Sequence, residues 1–400
     1  MSSACRIAIY SQDSLGLGHL RRTTVIGRML LESRPDSNVL LLMDSPAGPF
    51  CQLPEGMDHL KLPSIRKVSA GRWESIRLRI STPDLLKWRT TLLHDALMHF
   101  RPDVFLVDHM PGGALGELHP ALEALKEARP GCAVILGLRD ILDAPEVTMR
   151  VWEKEGAYQA LEQYYDQILV YGCRDVFDTG ATYRLPVPSR GIHYCGYVVN
   201  SAPVQTDSEI IQRSRGASRR LVYVSSGGGH DGALLTRTYL RAVRLLGRQV
   251  DFASLIATGV HAPPEARREL EAEAQDLPVY LVSHVMDGMS AMAASDLVVC
   301  MAGYNSMCEV LYLRKKALVV PRAGPSAEQR MRARLLAGRG LIDMVDPRDL
   351  SADKLAERLL ADLERKDYPP CDLAIGMCGA ERAAGYVLGL VDHPVYAAAI

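Results

Sequence analysis

Carboxylates placed one helical turn past a glycine, imidazoles beside glycine-rich turns, and glycine runs that bare successive backbone N–H groups are the chemistry-bearing features of this 400-residue chain. In Cys300-Met301-Ala302-Gly303-Tyr304-Asn305-Ser306-Met307-Cys308-Glu309 an apolar strand turns through glycine into a helix. Such a turn aims unpaired N–H groups and the positive helix end at whatever sits above it, which suits a diphosphate. Glu309 falls one turn beyond Asn305, so its carboxylate is spaced to accept two hydroxyl donors at once, as a ribose diol offers. Ser225-Ser226-Gly227-Gly228-Gly229-His230-Asp231-Gly232 also follows a strand. Its small residues expose N–H groups in a concave nest, with Gly228, Gly229 and His230 as phosphate contacts; a structural tight turn is the alternative. Glu328 and Gln329 open a basic helix after Ala317-Leu318-Val319-Val320-Pro321 and are expected to face the same crevice as Glu309.

The first half offers a second set. Ser11-Gln12-Asp13-Ser14-Leu15-Gly16-Leu17-Gly18-His19-Leu20-Arg21-Arg22 is a glycine-rich turn entering a helix. It lacks the third glycine and downstream acid of a dinucleotide fingerprint and the Gly-Lys-Ser/Thr of a P-loop. Gly18 lets a substrate approach the backbone closely, and His19 at the helix entrance is a candidate base. Two further strand ends carry acids, Val107-Asp108-His109 and Leu138-Arg139-Asp140. Asp108 with His109, or Asp140 held by Arg139, is placed to act as general base or to orient His19; His109 and Arg139 are acceptor-contact candidates. Helix caps and loop salt bridges give the same residues a structural role, and for Asp143 that is the preferred reading.

These groups need strands to hold them. Short apolar runs at Arg6–Tyr10, Val39–Met43, Val104–Val107, Ala133–Leu136 and Ile168–Tyr171 alternate with helical patterns, and the alternation repeats at Leu221–Val224, Phe252–Ala257, Val279–Val282, Leu297–Cys300 and Ala317–Val320. Crossover connections of this type imply parallel sheets. The fold class is therefore α/β, with two doubly wound Rossmann-like domains facing a cleft. The first covers residues 1–199, a polar linker 200–218, and the second 219–378, followed by a C-terminal segment 379–400. Ligands of such sheets bind beyond the carboxyl ends of the strands, so each wall of the cleft should carry one set of motifs.

Composition narrows the classes. Hydrophobic residues make up 48% and charged residues 23%, as in an ordinary folded protein. A net charge of -1 removes the simplest case for nucleic acid. No apolar run approaches the ~20 residues that cross a bilayer, and a strand follows the N-terminus directly, so a cytoplasmic protein is expected. Nine cysteines without a Cys-x-x-Cys pair point to reduced thiols. No clustered Asp-x-Asp site is apparent, so no metal or resident cofactor is expected. Between Ser64 and Trp88, basic and apolar residues alternate (Ile76-Arg77-Leu78-Arg79-Ile80). An anionic acceptor or the inner face of a membrane would suit that pattern, but an edge strand and helix explain it equally and are preferred.

The run from about Val279 to Gly340 resembles the donor-binding half of GT-B glycosyltransferases of family 28, the peptidoglycan N-acetylglucosaminyltransferase type: strand, glycine turn, Glu309, Val-Pro strand and Glu-Gln pair come in the same order. The resemblance implies an inverting transfer of a sugar from a uridine-linked nucleotide-diphosphate sugar to an acceptor hydroxyl, the acceptor being a small molecule or a lipid-linked one bound by the first domain. It implies that His284-Val285-Met286 reads the base, with Val285 and Met286 at the matching positions, although core packing is nearly as good an account of both. Gln329 is implied to touch the sugar, His19 to lie near the reacting centre, and the final helix, near Gly379–Leu390, to pack back on the first domain. His230 stands where the family has serine. The Gly-Leu-Gly-His turn also resembles nucleotide-sugar hydrolases of pseudaminic acid synthesis, so hydrolysis is a rival reading, and a nucleotide-sugar-binding subunit without chemistry is another.

Overall fold

A computed structural model of the chain describes residues 4–13, 18–69, 72–229, 231–247, 251–366 and 375–392. It divides into two units, Met1–Val199 with Ile375–Ile400, and Asn200–Ala374. His230 lies outside the described residues.

The first unit is built on β1 (Arg6–Ser11), β2 (Asn38–Met43) and β3 (Met57–Lys61), a hairpin of β4 (Ile65–Ser69) and β5 (Arg72–Ser75), then β6 (Val104–Asp108), β7 (Ala133–Arg139), β8 (Gln167–Tyr171) and β9 (Ile192–Tyr194). Seven of these form a parallel sheet in the order β3-β2-β1-β6-β7-β8-β9. Central strands such as Val104–Asp108 are buried on both faces, which is why they read as unbroken apolar runs in the sequence. Chain order reverses between β1 and β6, where Ser11 pairs with Asp108, and alternate residues of β1 (Ile7 and Ile9, Ala8 and Tyr10) are buried on both faces. The crevice beyond that pair is the position at which doubly wound sheets receive ligands.

The second unit repeats the plan with β10 (Arg220–Ser225), β11 (Phe252–Ala257), β12 (Val279–Val282), β13 (Leu297–Cys300), β14 (Ala317–Val319) and β15 (Asp343–Met344) in the parallel order β12-β11-β10-β13-β14-β15. Its reversal falls between β10 and β13, with Ser225 beside Cys300. The glycine turn after β10 and Gly303 after β13 therefore leave from neighbouring strand ends.

The segment 200–218, expected to be a free linker, is part of the second unit. It contains the helix Glu209–Arg215, which packs on β10, β11 and β12, with Ile211 and Ser214 buried. Gln205 N–H donates to Ser290 Oγ at 2.6 Å and Arg215 to the Ala294 carbonyl at 2.6 Å, so polar and charged composition here marks a solvated helix face instead of a tether. The helix Gly379–Asp392 packs on the helix Gly18–Ser33 of the first unit. Gly379 is required there, because a Cβ would stand 2.5 Å from the carbonyl carbon of Tyr197. Tyr386 stacks on His193 at 4.3 Å, and Arg34 pairs with Asp392 at 3.0 Å.

Two candidate ligand sites at the switch points

In the first unit the helix Gly18–Ser33 begins just past β1, and its spacing puts His19 and Arg22 on one face. Both converge on Asp108 at the end of β6, which is fully buried. His19 Nδ1 lies 2.5 Å from Asp108 Oδ2; Arg22 Nη2 donates to both carboxylate oxygens, at 2.9 and 2.8 Å, and Arg22 Nε to Oδ1 at 3.2 Å. Burial alone would raise the Asp108 carboxyl, but Arg22 and His19 outweigh it and hold it well below the usual carboxylate range. Arg22 Nη2 also lies 2.9 Å from His19 Nδ1; an Asp108 ionised at neutral pH favours the tautomer of a neutral His19 with its proton on Nδ1, which leaves Nε2 as the acceptor of a further proton. Arg22 also sits over the Tyr171 ring at 5.5 Å.

His109 follows Asp108 with a left-handed φ of 79°, and its ring stands 5.2 Å from that of His19. Burial first, then the positive Arg139, push His109 well below the ordinary histidine range, so it is a neutral imidazole at neutral pH. Asp140 is held in its own turn: its Oδ1 accepts the Ile141 N–H at 2.8 Å and its carbonyl the Thr179 hydroxyl at 2.6 Å. Arg139 reaches the Leu142 carbonyl at 3.4 Å. Of the catalytic candidates, His19 and Asp108 are thus joined directly, while Asp140 caps a loop. Gly18 is the first residue of the His19 helix.

Arg22 escaped the sequence reading although the three-residue spacing from His19 signals it. So did Asp13, whose Oδ1 accepts the His19 N–H at 2.9 Å, and Asp44, whose Oδ1 accepts the Asp13 N–H at 2.9 Å.

In the second unit the turn after β10 takes positive φ at Gly227 (66°) and Gly229 (91°), conformations that favour glycine. Gly229 is pressed against the turn after β11: a Cβ on it would stand 2.4 Å from the Thr258 carbonyl, and one on Gly259 2.4 Å from Gly229 Cα. His261 N–H donates to the Gly228 carbonyl at 2.9 Å, tying the two loops. The helices that follow, Ala233–Leu246 and Tyr304–Tyr312, have glycine N-caps, Gly232 and Gly303, and no side-chain cap at either start. Open space faces the Cβ position of Gly303. Asn305 and Ser306 in the first turn are half-buried, and Glu309 is 6% exposed.

Val285 is half-buried and Met286 is 92% exposed at the end of β12, so neither belongs to the core. Glu328 departs from expectation. It is 5% exposed, and its Oε1 accepts from the buried Arg332 Nη1 at 2.8 Å, with Arg332 also donating to the Ala302 carbonyl at 3.0 Å. The four-residue spacing favours this ion pair inside the fold over a carboxylate turned to a ligand. Gln329 Oε1 accepts the Arg322 N–H at 3.0 Å, and Arg322 Nη1 reaches Asp231 at 3.0 Å. This cation, joining the loops after β10 and β14, was also missed; its only signal is that it follows the Val-Pro strand. Among the described residues no group of three or more His, Cys, Asp or Glu is arranged to hold a metal ion, and no helix is long and apolar enough to cross a membrane.

Residues 223–371 match the glycosyltransferase family 28 C-terminal domain. The UDP-N-acetylglucosamine--N-acetylmuramyl-(pentapeptide) pyrophosphoryl-undecaprenol N-acetylglucosamine transferase of Chlorobium luteolum is 27% identical over 285 residues, 68% of this chain and 75% of that protein. Among solved structures, the glycotransferase of kitacinnamycin superposes with a TM-score of 0.63 at 18% identity, covering 98% of this chain and 96% of that one. A protein described as a UDP-N-acetylglucosamine 2-epimerase, from Listeria monocytogenes, gives 0.64 at 12% identity, covering 97% and 96%. The shared fold alone therefore does not select the reaction.

Proposed function

We propose, from the premise that this chain is a glycosyltransferase of GT-B fold whose residues 223–371 form a family 28 C-terminal domain, that it moves a sugar from a UDP-sugar to an acceptor hydroxyl by a single inverting displacement. The observation that carries the reading is the 2.5 Å contact between His19 Nδ1 and the buried Asp108 carboxylate. Nε2 of His19 takes the proton of the acceptor hydroxyl, and the forming imidazolium is stabilised by Asp108. The acceptor oxygen bonds to the anomeric carbon as the bond from that carbon to the diphosphate oxygen breaks, and the bonding pair leaves with the diphosphate. Main-chain N–H groups of the Gly228–Gly229 turn and of the helix start at Gly303–Ser306 receive its growing charge. Glu309 takes the ribose hydroxyls, and Met286 covers the base.

Transfer is metal-independent in this reading, the helix ends supplying the positive potential; full activity in excess chelator is the expected result. A lipid-linked acceptor, as named for the Chlorobium relative, is supported by the surface between β5 and the helix Thr82–Phe100: Leu78 is 43%, Ile80 43% and Trp88 48% exposed, among exposed Arg77, Arg79 and Lys87. Cosedimentation with anionic vesicles checks that contact.

A thermal-shift screen of nucleotide sugars tests the donor. A ligand at 100 times its dissociation constant stabilises by ~2.7 kcal/mol, and Glu309→Ala is expected to remove that stabilisation while the unliganded melting temperature holds. An unchanged shift in the variant overturns the ribose role. Release of free sugar at the same rate with and without acceptors would replace transfer by hydrolysis.

A further inference from the structure

Behind His19 lies a cluster of ionised side chains that the transfer step does not use. Arg89, on the helix Thr82–Phe100, is fully buried. Its Nε and Nη2 each donate to Glu117 at 2.6 Å, and its Nη1 to Asp44 Oδ2 at 3.3 Å and to the Pro63 carbonyl at 2.5 Å. The Tyr10 hydroxyl donates to Glu117 at 2.6 Å. Asp44, also fully buried, passes the chain on through its 2.9 Å contact with Asp13 N–H, and Asp13, 6% exposed, ends it on His19 N–H at 2.9 Å. One cation thus faces Asp44 and Glu117, and Asp13 adds a third negative group beside them.

Building charges into a core is costly, and an apolar core of the same shape would be at least as stable. What the cluster supplies is a fixed point. Asp108 and Arg22 hold the imidazole itself, and the main chain that carries it is held from below, where Asp13 accepts the His19 N–H. Resting on the transfer reading above, we propose that Asp13, anchored through Asp44 to Arg89, is a positioning residue for His19: it sets the imidazole's height over the sheet by its backbone N–H and adds a second negative charge that favours the imidazolium formed during transfer.

The titratable and charged groups facing Asp13 are His19 from the helix, Asp44 after β2, Asp108 from the end of β6, with Arg22 opposite Asp108, and the thiol of Cys51, which Asp13 helps to raise. Burial raises the Asp13 carboxyl to about 6, Asp44 and Asp108 adding to the rise and His19 opposing it. Asp13 is therefore a carboxylate above that pH and a neutral acid below it, and the acid limb of the activity profile belongs in part to Asp13.

The test uses the full-length protein and two variants. Asp13→Asn keeps an oxygen acceptor but not the charge; Asp13→Ala loses both. The expected result is a fall in kcat of about tenfold for Asp13→Asn and about a hundredfold for Asp13→Ala, with KM for the nucleotide sugar unchanged, and an acid limb in Asp13→Asn that no longer carries the component near pH 6. An activity-independent measurement is the NMR spectrum of the His19 ring at constant pH, whose resonances are expected to move in Asp13→Asn and also in Asp44→Asn, which keeps Asp13 itself. A wild-type pH profile and unmoved His19 resonances in folded Asp13→Asn would overturn the proposal. Moved resonances in a protein that transfers sugar to no acceptor would leave the positioning role standing and remove the transfer reading.

Discussion

The least obvious residue of the first site is Arg22, because it decides what His19 can do. Without a cation beside it, a fully buried Asp108 would tend to take up a proton; with Arg22 on both oxygens it stays ionised and orients the imidazole. Asp108→Asn is accordingly expected to cut kcat by about 10²–10⁴ with donor affinity intact, measured by steady-state kinetics beside donor titration. The same variant reports on stability. A depressed folded-state pKa contributes fully above the unfolded value of ~3.9 and is lost as pH falls below it, so the wild type's margin over Asp108→Asn should be flat from pH ~5 upward and shrink in acid. Asp13 has the opposite sign: raised to about 6, it favours the fold at low pH and gives that up as pH climbs toward 6. His19, Asp108 and Glu309 were each legible in the sequence, and Asp108 orienting His19 was one of the alternatives it offered. Arg22, Asp13 and the Arg89–Glu117 pair, whose members lie 28 residues apart, were not.

At the scale of elements, legibility followed burial. Strands covered on both faces, β1, β6, β7, β8, β10, β11 and β13, announce themselves as apolar runs. The sheet edges β3 (Met-Asp-His-Leu-Lys), β9 (Ile-His-Tyr) and β15 (Asp-Met) do not, because they are short or carry polar residues on a half-exposed backbone; the fourth edge, β12 (Val-Tyr-Leu-Val), keeps an apolar run and was legible. The helix Glu209–Arg215 was hidden for the same reason, with Ile211 its only buried large side chain. In the glycine turn after β10 the decisive element contact joins two glycines, Gly229 and Gly259, whose left-handed backbones touch. Gly259→Ala must displace the Gly229 turn or strain itself, at ~1–3 kcal/mol for the backbone conformation alone. The expected outcome is a lowered melting temperature with nucleotide-sugar affinity reduced at least tenfold; an affinity equal to wild type would show that the turn does not touch the ligand.

Over the whole molecule, each unit has its own sheet and apolar core. The sequence showed two doubly wound halves through the repeated alternation of strand and helix and ended the first at residue 199, as the structure does; composition misassigned 200–218 as a separate linker and put the return to the first unit at 379, whereas it falls at Ile375. The first unit takes its last helix from the far end of the chain, burying Ala380, Ala383, Ala384 and Val387. Removing residues 375–400 exposes the matching face of the helix Gly18–Ser33, whose first turn carries His19. Such a truncation is expected to unfold at lower temperature and to lose transfer while the second unit still binds the donor, measured by calorimetry with and without nucleotide sugar. Normal transfer by the truncated chain would refute that assignment.

Because the polypeptide leaves the first unit once and comes back, the second unit is an excursion with two covalent crossings. A protease cut at one crossing still leaves the other as a leash, holding the halves at a high local concentration. Only cleavage at both frees them, so limited digestion should yield fragments that separate in denaturant yet migrate together under native conditions after the first nick.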